Sequence, residues 1–400
     1  MRSLALLVTL GALGASVPSG VMKMQHSTGK LGTRQAVFLE NALLKLAVLP
    51  GGGHLASLEL KTGAAKGINP LWQVPWPSLE PKDFKAADLP KYGGAPEGRL
   101  LASIMGHNLC MDYFGGPNAA EQKQGYTVHG EAPVQTWQIK PSDGGLDCKV
   151  KLPVAKLEFT RKISLAPDSA VARFDCEMKN LSAQQAREVG WQEHVTFGPP
   201  FVEKGVTVFD CNATWGQVLP VEFSRRHRLK KSAEFQWPNA PGSDGKPVDL
   251  RGYPNDKFSG DFTTQLIDPK SEWAWMTAVN PKQRLLVGYL WKRADFPWLG
   301  NWEENYSRAT PPWNGKTLTR GLEFGLSPFP TGRDEMKKLG KLQGTPTLAR
   351  LAAKGSLRAT FWAFLAEIPP GCEGVKEVRF DRKNVTVVLR PRGEVKLEVR

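Results

Sequence analysis

Apolar and polar residues alternate along most of the chain with the two-residue period of β-strands, not the 3.6-residue period of helices. The alternation is clearest over residues 134–210, where segments of strand length are separated by Asp-Gly-Gly, Pro-Asp-Ser and Asn-Leu-Ser turns. Residues 33–62 predict a meander of three strands joined by Asn-Ala and Gly-Gly-Gly turns. The pattern therefore predicts a protein built mainly from antiparallel strands.

Other segments depart from this period. Residues 68–100 are rich in Trp and Pro without periodicity, which is typical of a long functional loop, and residues 217–262 are also loop-rich. Residues 333–353 form the one convincingly helical stretch, broken by Gly-Thr-Pro. Because no linker separates independent halves, we predict an all-β fold over residues 33–400. It should be a single large antiparallel β-sandwich with long loops and few short helices.

Three residues suited to proton transfer stand out in this pattern. In GWQEHVTFGPPF, residues 190–201, alternation places His194 on the polar face of a strand. His129 precedes a glycine in GYTVHGEA, and Glu323 lies in the apolar strand of RGLEFGLSPFP. A single histidine is commonly structural. Two histidines and a carboxylate on separate strands form a set suited to acid–base chemistry.

Composition narrows the classes of partner. The 13 tryptophans fit either a large sheet core or flat apolar surfaces that stack on sugar rings. A net charge of +14 raises the question of an acidic partner, but the basic residues are scattered. The densest basic cluster, RRHRLKK at residues 225–231, is short and borders a Pro/Gly-rich loop, so we interpret it as solvated. We expect no nucleic-acid partner, because no nucleic-acid-binding motif occurs.

The N-terminal residues 1–20 predict an export signal. Met1 and Arg2 precede an apolar run followed by small residues, and the run is too short to span a bilayer. We therefore expect an exported protein, periplasmic or secreted, without a membrane span. The five cysteines are widely spaced without a CxxC pair, which is neither a disulfide framework nor a metal-binding pattern. One or two disulfides remain possible after export.

The HG of VHGEA, the segment EHVTFGPPF and the glutamate of RGLEFGLSPFP together resemble motifs of the aldose 1-epimerase (galactose mutarotase-like) superfamily. They occur in the order of that family, with His129 and His194 separated by 65 residues and His194 and Glu323 by 129. The resemblance extends loosely over residues 35–330. It implies a twisted supersandwich of antiparallel sheets with a sugar-binding cleft across one of them.

The resemblance also implies a reaction, the interconversion of sugar anomers. A carboxylate, Glu323, would take the proton of the C1 hydroxyl while His194 gives a proton to the ring oxygen and His129 assists. The ring then opens to the aldehyde and closes on the other face. The implied substrate is a mono- or oligosaccharide, and neither a metal nor an organic cofactor is required.

Further residues are candidates for contacts with the sugar. Arg99 could hold a sugar hydroxyl as the arginine of the family does, although a surface arginine is equally consistent with its position. His107 and Asp112 lie in the turn-rich segment before His129 and could line the same cleft. Aromatic platforms could come from the tryptophans that precede the Glu323 strand, namely Trp298, Trp302 and Trp313.

Two other functions remain open on the same fold. A non-catalytic sugar-binding protein would keep the tryptophans and loops, and a glycan hydrolase or lyase would use the cleft for another reaction. A hydrolase needs two carboxylates at a defined separation. Glu303 and Glu304 are adjacent, so they should point to opposite sides of an extended strand and cannot form that pair. The sugar, the anomer and the oligomeric state stay open.

Overall fold

β-Strands dominate the computed structural model, which describes residues 24–253 and 258–399. The predicted export signal, residues 1–20, lies outside the described residues. In chain order the strands are β1 (Gln25–Leu31), β2 (Arg34–Glu40), β3 (Leu44–Leu49), β4 (His54–Leu60), β5 (His107–Asp112), β6 (Gln138–Ser142), β7 (Gly145–Leu152), β8 (Leu157–Leu165), β9 (Val171–Asn180), β10 (Arg187–Phe197), β11 (Val208–Cys211), β12 (Ala213–Val218), β13 (Glu234–Gln236), β14 (Asn239–Pro241), β15 (Pro247–Asp249), β16 (Ser259–Ile267), β17 (Trp273–Asn280), β18 (Leu285–Lys292), β19 (Trp298–Asn305), β20 (Leu318–Gly325), β21 (Lys341–Leu342), β22 (Thr345–Pro346), β23 (Ala349–Leu351), β24 (Ser356–Glu367), β25 (Gly374–Phe380), β26 (Asn384–Arg390) and β27 (Glu394–Glu398).

The helices of the described residues are short. Three are α-helical, α1 (Gly98–Leu101), α2 (Ala119–Lys123) and α3 (Arg333–Leu339), and three are 3₁₀-helical, at Pro81–Asp83, Ala86–Tyr92 and Ala132–Val134.

Two large antiparallel sheets carry the fold. The first has the strand order β1-β2-β3-β4-β5-β10-β20-β19-β16-β12-β13, with β23 joined to the side of β10. The second has the order β11-β17-β18-β24-β9-β8-β7-β6, and β25, β26 and β27 form a separate small sheet. The predicted all-β antiparallel sandwich with few short helices is confirmed.

The main core fills the space between the two sheets, as the alternation predicts. In β8, Leu157, Phe159, Ile163 and Leu165 are buried at every second position. Arg161 also points inward from this strand, and its guanidinium contacts the buried carboxylate of Glu193 with 2.5 Å between Nη2 and Oε1. The core therefore contains a paired charge among apolar side chains.

The outer face of the first sheet is covered by loops. The Trp- and Pro-rich segment predicted as a functional loop supplies Trp72 and Trp76, which pack with Trp302 and Trp313. The rings of Trp72 and Trp313 stack with centroids 6.0 Å apart, and Trp76 meets Trp313 edge-on at 5.0 Å. This tryptophan cluster (Trp72, Trp76, Trp302 and Trp313) fixes one wall of the cleft described below.

The structure corrects one sequence-based expectation and answers one question that the sequence left open. The helix predicted over residues 333–353 extends only over Arg333–Leu339; the remaining residues form the short strands β21, β22 and β23. Gly340 and Gly344 have positive φ angles of 65° and 73° and end the helical conformation. All five cysteines are buried and free, so no disulfide forms.

No helix within residues 24–253 and 258–399 is long and apolar enough to cross a membrane.

Candidate functional site

His194 and Glu323 lie side by side on neighbouring strands at the centre of the first sheet. In the register of β10 and β20, His194 is directly opposite Glu323, so the two side chains share the outer face. His194 Nε2 lies 3.1 Å from Glu323 Oε1. The other ring nitrogen, Nδ1, lies 3.0 Å from the hydroxyl of Thr196, two residues along the same face, which fixes the orientation of the imidazole.

His129 reaches the same place from a loop. Its backbone has a φ angle of 66°, a left-handed conformation, and it lies between α2 and the following 3₁₀-helix, so the predicted strand setting is wrong. The His129 ring lies 5.2 Å from the His194 ring and stacks on Phe114 at 5.4 Å. The backbone N–H of Gly115 donates to His129 Nδ1 over 3.2 Å. In the neutral imidazole Nε2 therefore carries the proton and serves as a donor.

All three residues line one cleft of about 230 Å³ on the outer face of the first sheet. The apolar wall includes Phe114, Leu219, Phe262, Trp302 and Trp313. Polar groups come from the two histidines, Glu323 and the charged side chains of Glu97, Glu222 and Arg308. A mainly apolar cleft with a few converging polar groups is typical of a site for a small molecule.

Arg308 is a cleft residue that sequence reasoning missed. Its guanidinium lies 4.5 Å from the centre of the Trp313 ring, and its Nε lies 3.3 Å from Glu304 Oε2. The signal available in the sequence was the four-residue spacing of Glu304 and Arg308 beside a tryptophan-rich segment. The contact with Glu304 holds the arginine in place while about a quarter of its side chain stays exposed.

Burial sets the protonation of the site. It lowers the pKa of His129 to about 3, with the positive charge of Arg308 adding to the effect. Burial also lowers the pKa of His194 well below 6.5 and raises the pKa of Glu323 well above 4.5. The site therefore favours uncharged imidazoles and resists a lone negative charge on Glu323.

Three residues that line the cleft carry a buried polar atom with no hydrogen-bond partner among the described residues. These atoms are Glu323 Oε2, whose partner oxygen contacts His194, the indole nitrogen of Trp302 and the hydroxyl of Thr331. Buried polar atoms in folded proteins are nearly always paired. Their presence in one cleft indicates that a polar ligand completes the site.

Comparison with solved structures identifies the architecture. A candidate aldose 1-epimerase from Klebsiella pneumoniae superposes with a TM-score of 0.61 at 16% sequence identity, covering 86% of this chain and 83% of the other. A galactose mutarotase-like protein from Clostridium acetobutylicum superposes with a TM-score of 0.54 at 12% identity, covering 86% of this chain and 99% of the other. This chain has the galactose mutarotase-like fold. No protein-family model and no curated protein sequence matches it.

A candidate mutarotase from Salmonella typhimurium also superposes, with a TM-score of 0.51 at 12% identity, covering 89% of this chain and 97% of the other. The resemblance first seen in three short motifs therefore extends over most of the galactose mutarotase-like fold. At identities this low the likeness concerns the fold, and the chemistry must be argued from the cleft itself.

Two of the other predicted site residues lie away from the cleft of this galactose mutarotase-like fold. His107 pairs with Val195 in the β5–β10 register and so faces the core, where its Nε2 lies 2.8 Å from Glu193 Oε2. Asp112 is buried at the other end of β5 and forms ion pairs with Arg187 and Arg333. Both residues are explained by internal pairing, which corrects the expectation that they line the cleft.

The remaining candidates divide between the cleft and its surroundings. Arg99 turns away from the cleft, and its Nη2 donates to the carbonyl of Val134 over 3.4 Å. Trp298 is fully buried beneath the β21–β22 hairpin and donates its indole N–H to the carbonyl of Pro346 over 3.0 Å. Trp302 and Trp313 line the cleft beside Glu323. Of the six predicted sugar contacts, the structure brings these two tryptophans to the site.

Proposed function

We propose that the protein interconverts the anomers of a free aldose by acid–base ring opening. The observation that carries this proposal is the contact between His194 and Glu323 at 3.1 Å, with Glu323 Oε2 left unpaired in the cleft. One proton donor and one proton acceptor are thus held together where a sugar-sized ligand fits. The galactose mutarotase-like fold supports the same proposed function, because structures that share it include candidate epimerases and mutarotases.

The proposed step transfers two protons. Glu323 takes the proton of the C1 hydroxyl while His194 gives a proton to the ring oxygen, so that the bond from C1 to the ring oxygen breaks and the C1 carbonyl forms. Rotation about the C1–C2 bond turns the aldehyde, and the reverse transfers close the ring on the other face. Atoms and electrons balance without an oxidant or another reactant.

Burial favours the open-chain stage of this reaction. The step starts from an ionised Glu323 and a protonated His194 and leaves a neutral carboxyl and a neutral imidazole. Because burial raises the pKa of Glu323 and lowers that of His194, the neutral forms are the ones the site stabilises. The ion pair and the neutral pair hold the same number of protons and differ only in which residue carries one of them, and that proton can pass between the two residues along their hydrogen bond.

His129 has a different part in the proposal. Its Nδ1 accepts from the backbone of Gly115, and its pKa of about 3 keeps the ring neutral. We assign it as a neutral donor that holds a sugar oxygen through Nε2 instead of a proton source. Glu303 and Glu304 cannot act as the paired carboxylates of a hydrolase, because Glu303 contacts Arg320 on the core face while Glu304 contacts Arg308 on the cleft face.

Polarimetry of freshly dissolved α-glucose and α-galactose tests the proposal. The wild-type protein should accelerate the decay of optical rotation, and Glu323→Gln should abolish the acceleration while saturation-transfer NMR still detects sugar binding. Binding without acceleration by the wild-type protein would instead identify a sugar-binding protein. New reducing ends released from a polysaccharide would identify a hydrolase.

A further inference from the structure

Trp302, which lines the cleft, carries an unused hydrogen-bond donor. An indole N–H can only donate, and the Trp302 nitrogen is buried with no acceptor among the described residues. The indoles of six other tryptophans each donate to a protein oxygen at 2.8 to 3.1 Å, namely Trp76, Trp137, Trp191, Trp215, Trp291 and Trp298. The indole N–H of Trp362, on the second sheet, also has no acceptor among the described residues, but this residue lies outside the cleft.

The Trp302 ring is held rigidly beside the proton-transfer pair. It meets Trp72 edge-on at 6.2 Å and Trp313 edge-on at 6.0 Å, and its centre lies 5.9 Å from that of His194. Trp302 lies opposite Gly321 in the β19–β20 register, two residues from Glu323. An added Cβ on Gly321 would lie 3.1 Å from the Trp302 ring, so the glycine lets the indole settle close to the sheet.

Donor and acceptor in the cleft are complementary. Glu323 Oε2 can only accept when ionised, and the Trp302 N–H can only donate. A polyol presents neighbouring oxygens, each of which can both donate and accept, so one sugar can satisfy both atoms. The apolar tryptophan faces exclude water from the surrounding surface and strengthen such a bond.

We propose that Trp302 is a substrate-positioning residue whose indole N–H donates to an oxygen of the bound sugar. This assignment rests on the proposed function. It places the sugar between the tryptophan cluster and the pair formed by His194 and Glu323, and it makes the protein selective for ligands with an acceptor oxygen at that point. The residue acts by orientation and takes no part in proton transfer.

The test compares Trp302→Phe with Trp137→Phe. The first substitution removes the unused N–H and keeps an aromatic ring in the cleft. The second removes an N–H that the fold uses, since Trp137 lies in the main core, donates to the carbonyl of Ala132 and does not line the cleft. We expect Trp302→Phe to weaken sugar binding about tenfold and to lower the unfolding midpoint less than Trp137→Phe does, because it breaks no hydrogen bond of the fold. Trp137→Phe should lower the midpoint and leave sugar affinity unchanged.

Affinity is measured by saturation-transfer NMR with 1,5-anhydroglucitol, a sugar that cannot open its ring, and with glucose. Unchanged affinity of Trp302→Phe for both ligands would overturn the proposal, as would a loss of stability matching that of Trp137→Phe. Because anhydroglucitol reports binding without turnover, a protein that binds it through Trp302 but does not accelerate mutarotation would refute only the proposed function. A wild-type protein that binds neither ligand would refute both.

Discussion

Two buried glutamates on the two faces of the first sheet should respond oppositely to the same substitution. Glu193 faces the core, and although burial opposes its ionisation, Arg161 and the hydrogen bonds from His107 and Trp191 lower its pKa to about 2. Glu323 faces the cleft and has no compensating cation, so burial alone raises its pKa. Glutamine has nearly the shape of glutamate and carries no charge, so replacing each residue by Gln isolates the contribution of the carboxylate.

For Glu193→Gln we expect a large loss of stability at neutral pH. The difference between 4.5 and a folded-state pKa of about 2 corresponds to about 3 kcal/mol of stabilisation. That stabilisation is present above pH 4.5 and disappears as the pH falls through the folded-state pKa. The substitution also leaves the buried guanidinium of Arg161 without a counter-charge, which is costly in its own right.

For Glu323→Gln we expect stability to rise at neutral pH. Its folded-state pKa lies above that of the unfolded chain, so the native state is favoured below pH 4.5 and loses that advantage as the pH rises. Glutamine cannot ionise, so the variant does not lose this stability as the pH rises. Activity should fall by about 10² to 10⁴, equivalent to about 3 to 5 kcal/mol of transition-state stabilisation.

The assay combines denaturant unfolding of both variants at pH 7 and pH 4 with polarimetry at pH 7. At pH 7 Glu193→Gln should unfold at lower denaturant than the wild-type protein and Glu323→Gln at higher denaturant. At pH 4 the Glu323→Gln difference should largely disappear, whereas the Glu193→Gln difference should shrink only in part, because pH 4 is still above the folded-state pKa of Glu193. The reasoning is refuted if Glu323→Gln is destabilised like Glu193→Gln. It is also refuted if Glu323→Gln keeps mutarotase activity close to that of the wild-type protein.

Four further outcomes follow from the same geometry. The acid limb of the mutarotation pH profile should lie well below pH 6.5 and the alkaline limb well above pH 4.5, because burial lowers the pKa of His194 and raises that of Glu323. An acid limb with its midpoint at pH 6.5, or an alkaline limb with its midpoint at pH 4.5, would contradict this. Asparagine tolerates the positive φ angle at position 129, so His129→Asn should keep the backbone and should raise KM more than it lowers kcat in steady-state polarimetry. An equal loss in kcat and in kcat/KM would instead indicate proton transfer by His129. Gly321→Ala should reduce activity at least tenfold with retained folding by circular dichroism, since its Cβ would lie 2.3 Å from Glu323 Oε1; full activity would refute the contact. An aromatic disulfide reagent should label no cysteine in the native protein and all five in denaturant, because burial raises every thiol pKa, that of Cys176 to about 12.

Alternation along the strands was sufficient to predict the face of His194. It placed this residue with Thr196 and opposite the apolar face, and the structure has the same arrangement. For β5 alternation alone does not tell which residues face the cleft. That depends on the register of β5 with β10, which local sequence does not reveal. His107 pairs with Val195 and faces the core, whereas its neighbour Asn108 pairs with His194 on the cleft face. A shift of one residue exchanges the two faces of a strand.

Loop residues set the limit of prediction. Arg308 and Glu97 enter the cleft from segments without periodicity, where the direction of a side chain depends on the folded path of the loop. Trp298 and Trp302 lie on the same face of one strand, yet the β21–β22 hairpin covers only Trp298. Which tryptophan meets the cleft is decided by a hairpin some forty residues away in the chain, beyond the reach of local sequence patterns.

The pairing of His194 with Glu323 also bears on how such a protein could be redesigned. Their spacing is set by main-chain hydrogen bonds between two central strands, which form whatever side chains surround them. The cleft walls, by contrast, come from connections that tolerate insertion and replacement. Exchanging those connections should therefore retarget the protein to other ligands without disturbing its reactive centre, which makes this scaffold a practical starting point for grafting new recognition loops.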